Sequence, residues 1–151
     1  MGLGFDVHAR AAGRPLWLGG VRFDDEDGLA GHSDGDVVCH AVADAILGAA
    51  ALGDVGEHFP DTDLATEGIS GSELLFRTVA MVRRSGFAPL SCDATVICER
   101  PSIAARREEM RASLSEALGV RIDRLSVKAT RPEGLGLSGD GVGCLAIATI
   151  G

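Results

Sequence analysis

The stretch that most limits what this chain can fold into runs from Asp36 to Leu52 and reads DVVCHAVADAILGAAAL. It is apolar around almost its whole circumference, and a segment of that kind suits a helix packed on several sides. The pattern predicts a central helix from Asp36 to about Leu52, with Ser33 or Asp34 capping its N-terminus. Asp36, His40 and Asp44 fall at i, i+4 and i+8 and form one polar stripe down that cylinder. Polar groups are costly to bury without partners, so a stripe on a helix too apolar for the surface has no cheap structural purpose.

The rest of the chain must supply what this helix packs against. LGFDVHA alternates as a strand, PLWLGGVRF gives two short apolar runs broken by Gly19 and Gly20, and DDEDG reads as a charged turn. Ser70 with Glu73 makes a capping-box pattern before a helix that carries Leu75, Val79 and Val82 on one face and closes at Arg83, Arg84 and Gly86. LSCDATVICE alternates as a strand. Pro101 opens a third helix on which Ile103, Met110, Leu114 and Leu118 share a face before Gly119 stops it. RLSVKAT and GCLAIATI read as two final strands. Interspersed strands and helices, with hairpin-like pairs at the start and end, point to the α+β class, a single sheet with a layer of helices on one face. The length, 151 residues, fits one domain over residues 1–151.

Charge excludes several partners. With 14 Lys and Arg against 22 Asp and Glu the formal charge is −8, and no basic stripe tracks a phosphate backbone, so nucleic acid is not expected. No run approaches 18 apolar residues, which argues against a membrane span. Cys39, Cys92, Cys98 and Cys144 form no C-x-x-C pair and follow no signal peptide, so they read as buried thiols of a cytoplasmic protein. An acidic protein that takes a phosphorylated small molecule needs local devices to hold it, such as metal ions, backbone N–H groups or a few placed basic residues.

One constellation has the chemistry for this. Asp6 and His8 share a strand face about 6 to 7 Å apart, and if that face meets the helix, His40 completes the ligand set of an open catalytic zinc site. Asp36 or Asp44 would then fix a histidine tautomer from behind. An isolated D-x-H on a strand is commonly solvent-facing, so chemistry alone leaves both a metal site and a wet surface open. In GDVGEHFPDTD, Asp54, Asp61 and Asp63 either bind ligand hydroxyls or cap backbone N–H groups, and His58 is expected on the surface. Glu133, in KATRPEG, is a candidate ligand for a hard cation. GLGLSG from Gly134 fits a dinucleotide fingerprint but precedes a β-like run rather than a helix, and His32, Ser33 and Asp34 are too close in sequence to form a hydrolase triad unaided.

The pattern as a whole resembles a known family. GFDVHA, then GLAGHSDGDVVCHAVADAILGAAALGDVGEHFPDTD from Gly28 to Asp63, then VKAT and Glu133 are similar to the 2-C-methyl-D-erythritol 2,4-cyclodiphosphate synthases of non-mevalonate isoprenoid biosynthesis, over nearly the whole chain. The resemblance implies a phosphorus-oxygen lyase that cyclises 4-diphosphocytidyl-2-C-methyl-D-erythritol 2-phosphate and releases CMP. It implies one tetrahedral Zn2+ per subunit on Asp6, His8 and His40, Mg2+ or Mn2+ at the diphosphate on Glu133, and catalytic roles for His32, Arg131 and Glu133. Substrate contacts would come from Asp6, His8, His32 and Ser33, and from Asp54, Val55, Gly56, Phe59, Pro60, Asp61, Thr62 and Asp63. The cytidine diphosphate end would meet Cys98, Glu99, Arg100, Pro101, Ser102, Ile103 and Ala104, with Thr130, Arg131, Pro132 and Glu133. It further implies a fold of ferredoxin-like character and a homotrimer with active sites between subunits.

Several residues depart from the family's usual ones. Arg131 and Pro132 follow KAT where Thr or Asn is common, which predicts altered rather than absent catalysis, since Arg also neutralises phosphate. Ser102 replaces a Lys, with Arg100 or Arg106 as candidate substitutes. Leu137, Asp140 and Val142 replace Phe, Arg and Glu beside a trimer-axis cavity that holds an isoprenoid diphosphate in relatives. Three Asp140 carboxylates there should repel such a ligand. Two other readings stand beside this one, a catalytically impaired nucleotide-binding paralogue and a zinc phosphohydrolase.

Overall fold

The computed structural model describes residues 1–136 and 139–151, without the side chain of Asp25, so Leu137 and Ser138 lie outside the described residues. Strands β1 (Gly2–Leu18) and β2 (Val21–Leu29) are followed by helices α1 (Val37–Ala49), α2 (Val55–His58) and α3 (Gly71–Arg84). Then come β3 (Pro89–Ile97), α4 (Arg107–Leu118), β4 (Leu125–Thr130) and β5 (Gly141–Ile150). The strands form one mixed sheet in the order β2-β1-β5-β3-β4. β3 and β4 run parallel, and the other neighbours are antiparallel.

Alternation along β1 explains how the layers meet. Gly2 and Gly4 face α1, and a Cβ at either position would overlap the carbonyl oxygen of Ala45 or Ala41. The two glycines and the alanines opposite them let strand and helix backbones approach more closely than larger side chains permit. The next residues in the same row are Asp6 and His8. Odd positions point the other way, leaving Leu3, Phe5 and Val7 exposed beside Leu145 and Ile147 of β5. Behind the glycine row, Val142, Cys144, Ala146 and Ala148 of β5 and Ala94 and Val96 of β3 are buried under α1, as expected for the inward half of a period-2 pattern.

Helix α1 is buried along most of its length, as its composition demands, but its cap is neither Ser33 nor Asp34. Asp36 takes that position, and its fully buried carboxylate accepts from Val38 N (3.1 Å) and Cys39 N (3.0 Å). The same carboxylate accepts from Gly19 N (2.8 Å) and Gly20 N (2.6 Å) in the β1-β2 turn. Three of these N–H donors converge on Oδ1 and one on Oδ2, which offsets the cost of burying the carboxylate. Asp34 serves α3 instead, accepting from Asp36 N (3.0 Å) and from Gly71 N (2.9 Å) in the first turn of that helix.

Three other expectations are corrected. DDEDG is not a turn but the second half of β2, where a shift of register around Pro15 lets the charged segment continue the pairing with β1. The last two strands do not form a hairpin: β5 inserts between β1 and β3, and β4 pairs in parallel with β3 across the α4 connection. The third helix begins as a 3-10 turn at Ile103–Arg106 and becomes α-helical only from Arg107, while Gly119 ends it with φ 67. The capped α3 forms as expected, with Ser70 Oγ accepting from Glu73 N at 3.2 Å.

Gly4→Ala is expected to lower the unfolding free energy by about 1–3 kcal/mol, the usual cost of overpacking. Gly48→Ala, where an added Cβ meets nothing within 4 Å, should not lower it. Urea denaturation of the two variants checks both.

Candidate metal and ligand site

The glycine row seats α1 so that His40, in its first turn, meets the next two residues of β1. His8 Nε2 lies 2.8 Å and His40 Nδ1 3.0 Å from the same oxygen, Asp6 Oδ2. The imidazoles stand 5.6 Å apart at 66°, and the three potential ligand atoms all fall within 4.8 Å of one another. Donors about 2.0 Å from a tetrahedral ion lie about 3.3 Å apart, so small adjustments would close this set on a divalent cation. One carboxylate oxygen and two imidazole nitrogens, part-buried and open on one side, fit such an ion.

The electrostatics agree with that chemistry. Burial pushes the Asp6 carboxyl up, but hydrogen bonds and charge from His40 and His8 outweigh it and hold the group well below the usual carboxylate range. The contact with Asp6 in turn raises His8, against the lowering effect of burial. At His8 a proton and a cation therefore compete for the same nitrogen.

Neither Asp36 nor Asp44 orients the histidines. Asp36 is consumed by the cap, and Asp44 accepts from Val55 N (2.8 Å), which ties α1 to the start of α2. Burial raises the Asp44 carboxyl. The partner of His40 is Ser33, whose Oγ lies 3.0 Å from Nε2. His58 is not a free surface residue either, since its Nε2 lies 2.6 Å from the Leu52 carbonyl oxygen.

The cluster lies in the wall of a cavity of about 250 Å³, together with His32, Ser33, Val55, Gly56, Phe59 and Asp61. Asp54 and Asp63 spend one oxygen each on caps, accepting from Glu57 N and Ala65 N, both at 2.9 Å. Asp54, Pro60, Thr62 and Asp63 stay outside that wall, although the Asp63 carbonyl oxygen lies 3.4 Å from His32 Nε2.

A second cavity, of about 220 Å³, is lined by Cys98, Pro101, Ser102, Ile103, Ala104, Thr130 and Arg131, and shares no lining residue with the first. Its strands, β3 and β4, lie beyond β5 from β1. Glu99 accepts from Gly134 N (2.9 Å), Pro132 is buried, and Glu133 is exposed at φ 53. Arg100 pairs with Glu26 (2.9 Å) and Arg106 with Glu109 (2.6 Å), so neither is free to replace the cation missing at Ser102. Arg107 was missed by sequence reasoning: it lines this cavity, and its buried Nε has no hydrogen-bond partner. A cation in the first turn of α4 runs against the helix dipole, a signal available in the sequence. A larger groove, of about 710 Å³ along β3, β4 and α4, is more open and holds none of the three clustered groups.

Comparison with known proteins agrees with this geometry. The sequence pattern of the YgbB family matches residues 1–151. The 2-C-methyl-D-erythritol 2,4-cyclodiphosphate synthase of Salinibacter ruber is 51% identical over 152 residues, covering 99% of this chain and 97% of the relative. A bifunctional IspD/IspF enzyme of Anaeromyxobacter is 54% identical over 148 residues, 98% of this chain but 38% of that enzyme. The solved structure of a 2C-methyl-D-erythritol-2,4-cyclodiphosphate synthase in a CDP-bound form superposes with a TM-score of 0.91 at 33% identity, over 99% of both chains.

His40→Ala is expected to abolish retention of a stoichiometric divalent cation, measured by metal analysis after dialysis, because two donors alone do not complete the set. For the unsubstituted protein, cation affinity should rise with pH. The raised His8 must lose its proton to ligate, so binding at pH 8 should be tighter than at pH 6 in a competition titration; equal affinity at the two would contradict the assignment.

Proposed function

The chain belongs to the YgbB family of 2-C-methyl-D-erythritol 2,4-cyclodiphosphate synthases, and we infer from that membership the reaction it catalyses. It converts 4-diphosphocytidyl-2-C-methyl-D-erythritol 2-phosphate to 2-C-methyl-D-erythritol 2,4-cyclodiphosphate with release of CMP, as a phosphorus-oxygen lyase of non-mevalonate isoprenoid biosynthesis. The observation that carries the reading is the convergence of Asp6, His8 and His40 in a cavity beside His32 and Ser33.

In this reaction a 2-phosphate oxygen bonds to the β-phosphorus while the bond from that phosphorus to the α-phosphate oxygen breaks and CMP leaves. An ionised phosphate needs no general base, so catalysis rests on holding anionic groups together and offsetting their charge. We assign Asp6, His8 and His40 to one tetrahedral Zn2+ per subunit with its fourth position open. When bound, the ion supplies Lewis-acid polarisation at the β-phosphate. Glu133 is assigned to Mg2+ or Mn2+ at the diphosphate, where one carboxylate plus phosphate oxygens is a usual ligand set.

The protein's own groups do the rest. His32 and Ser33 donate to phosphate oxygens, and Arg131 brings a guanidinium to the diphosphate. Asp54, with one oxygen unused by its cap, Val55, Gly56 and the segment Phe59 to Asp63 enclose the methylerythritol portion. The Cys98 to Ala104 segment, with Thr130 and Pro132, takes the cytidine. We place these functions on one catalytic domain of ferredoxin-like character spanning residues 1–151. Two observations support a homotrimer with active sites between subunits: the metal and nucleotide cavities are separate within one chain, and the sheet face bearing Leu3, Phe5, Val7, Leu145 and Ile147 is apolar and exposed. The cytoplasm is assigned as its location, in keeping with four free, buried cysteines. Among the described residues, no helix is long and apolar enough to cross a membrane.

Phosphorus NMR of the diphosphocytidyl substrate with enzyme and Mg2+ should show cyclic diphosphate and CMP, and a strong zinc chelator should stop their formation. No turnover would point to an impaired paralogue and linear hydrolysis products to a phosphohydrolase. Arg131→Ala should lower kcat by about 10²-fold, the usual effect of losing one charge-stabilising donor.

A further inference from the structure

Ser33 sits where the metal cluster meets the rest of the cavity. The residue is 7% exposed, its Oγ lies 3.0 Å from His40 Nε2, and it accepts from Gly35 N at 3.1 Å. The opposite nitrogen of the same ring, Nδ1, is the one turned toward Asp6, at 3.0 Å. A neutral imidazole carries one N–H, so these two contacts of His40 are linked.

In a neutral ring with no cation, an Nδ1–H would donate to Asp6 Oδ2 and the bare Nε2 would accept from the Ser33 hydroxyl. A cation held on Nδ1 would take the lone pair of that nitrogen. The single ring proton must then sit on Nε2 and donate to Ser33 Oγ, so the hydrogen bond keeps its place and reverses its polarity. His40 gains and loses no net proton, since its N–H exchanges from one nitrogen to the other through solvent. In the reversed state both lone pairs of Oγ are occupied, by His40 Nε2–H and Gly35 N–H. The hydroxyl hydrogen is left to point into the cavity that Ser33 lines.

We propose that Ser33 is a positioning residue for His40: by accepting from the Nε2–H of the cation-bound ring it holds Nδ1 toward the cation, and filling the cation site turns its own hydroxyl toward an anionic oxygen in the cavity. This couples cation loading to the presentation of a hydrogen-bond donor, and it rests on the metal assignment made above.

The test compares the full chain with Ser33→Ala and Ser33→Thr. Zinc affinity is read by competition with a chromophoric chelator, and the His40 ring by nitrogen-15 NMR of the zinc-loaded proteins. Ser33→Ala should bind zinc about 10- to 100-fold more weakly, the usual effect of removing a group that orients a metal ligand. Ser33→Thr, which keeps the hydroxyl, should recover most of that loss. The unsubstituted protein should show a slowly exchanging proton on Nε2 that Ser33→Ala lacks, a signature that a merely structural role would not move. Should Ser33→Ala fail to fold, Ser33→Gly, which also lacks the hydroxyl and adds no metal ligand, takes its place with the same expectation. Equal zinc affinity and an unchanged ring signal in the variant would overturn this inference while leaving the cation site intact, whereas failure of the unsubstituted chain to bind zinc would overturn both.

Discussion

Helix α1 can lie against β1 at backbone distance only because Gly2 and Gly4 present no side chain to the Ala41 and Ala45 carbonyls. Since β1 alternates, the row that begins with two glycines continues with Asp6 and His8, while the helix that packs on the glycines carries His40 in its first turn. The close approach and the convergence of the three donors are therefore one geometric fact. A larger side chain in the glycine row would push the helix outward, and a shift of even an ångström would take His40 out of reach of Asp6 Oδ2.

A second constraint holds the first in place. Asp36 gathers the β1-β2 turn and the N-terminus of α1 around one carboxylate, Asp34 draws in α3, and Asp44 pins the start of α2. Asp34 and Asp36 thus build the scaffold, leaving His32, Ser33 and His40 to face the cavity, which Asp44 also lines. This division explains how a short acidic segment can be partly buried without self-repulsion prevailing: each structural carboxylate is matched to backbone N–H donors, whose partial charges are fixed and cost no side-chain entropy.

A chain of formal charge −8 must handle a substrate with several phosphate charges. Arg100 and Arg106 are tied into ion pairs, and among the described residues only Arg131 and Arg107 bring cationic side chains to the cavity beside Cys98 and Ser102. In the proposed reaction much of the charge neutralisation would fall to a cation at Asp6, His8 and His40, which the proposed link through Ser33 would couple to a neighbouring donor.

Much of this was legible in the letters of the chain. The apolar circumference of the Asp36 to Leu52 segment predicted a buried helix, the cap at Ser70 a helix start, and the D-x-H spacing one shared strand face, because these depend on periods of 3.6 and 2 that are local properties of the backbone. What tertiary structure alone decided was which polar residue meets which donor. Ser33 and Asp34 were the candidate caps, and Asp36 and Asp44 the candidate orienters, until the β1-β2 turn claimed Asp36, Gly71 claimed Asp34 and Val55 claimed Asp44. The acidic half of β2 and the placement of β5 between β1 and β3 depend on hydrogen bonds to strands far away in sequence, which no local pattern encodes. The amino-acid sequence set the chemistry available, and the packing of α1 on the glycine row determined which of those groups stand within bonding distance of one another.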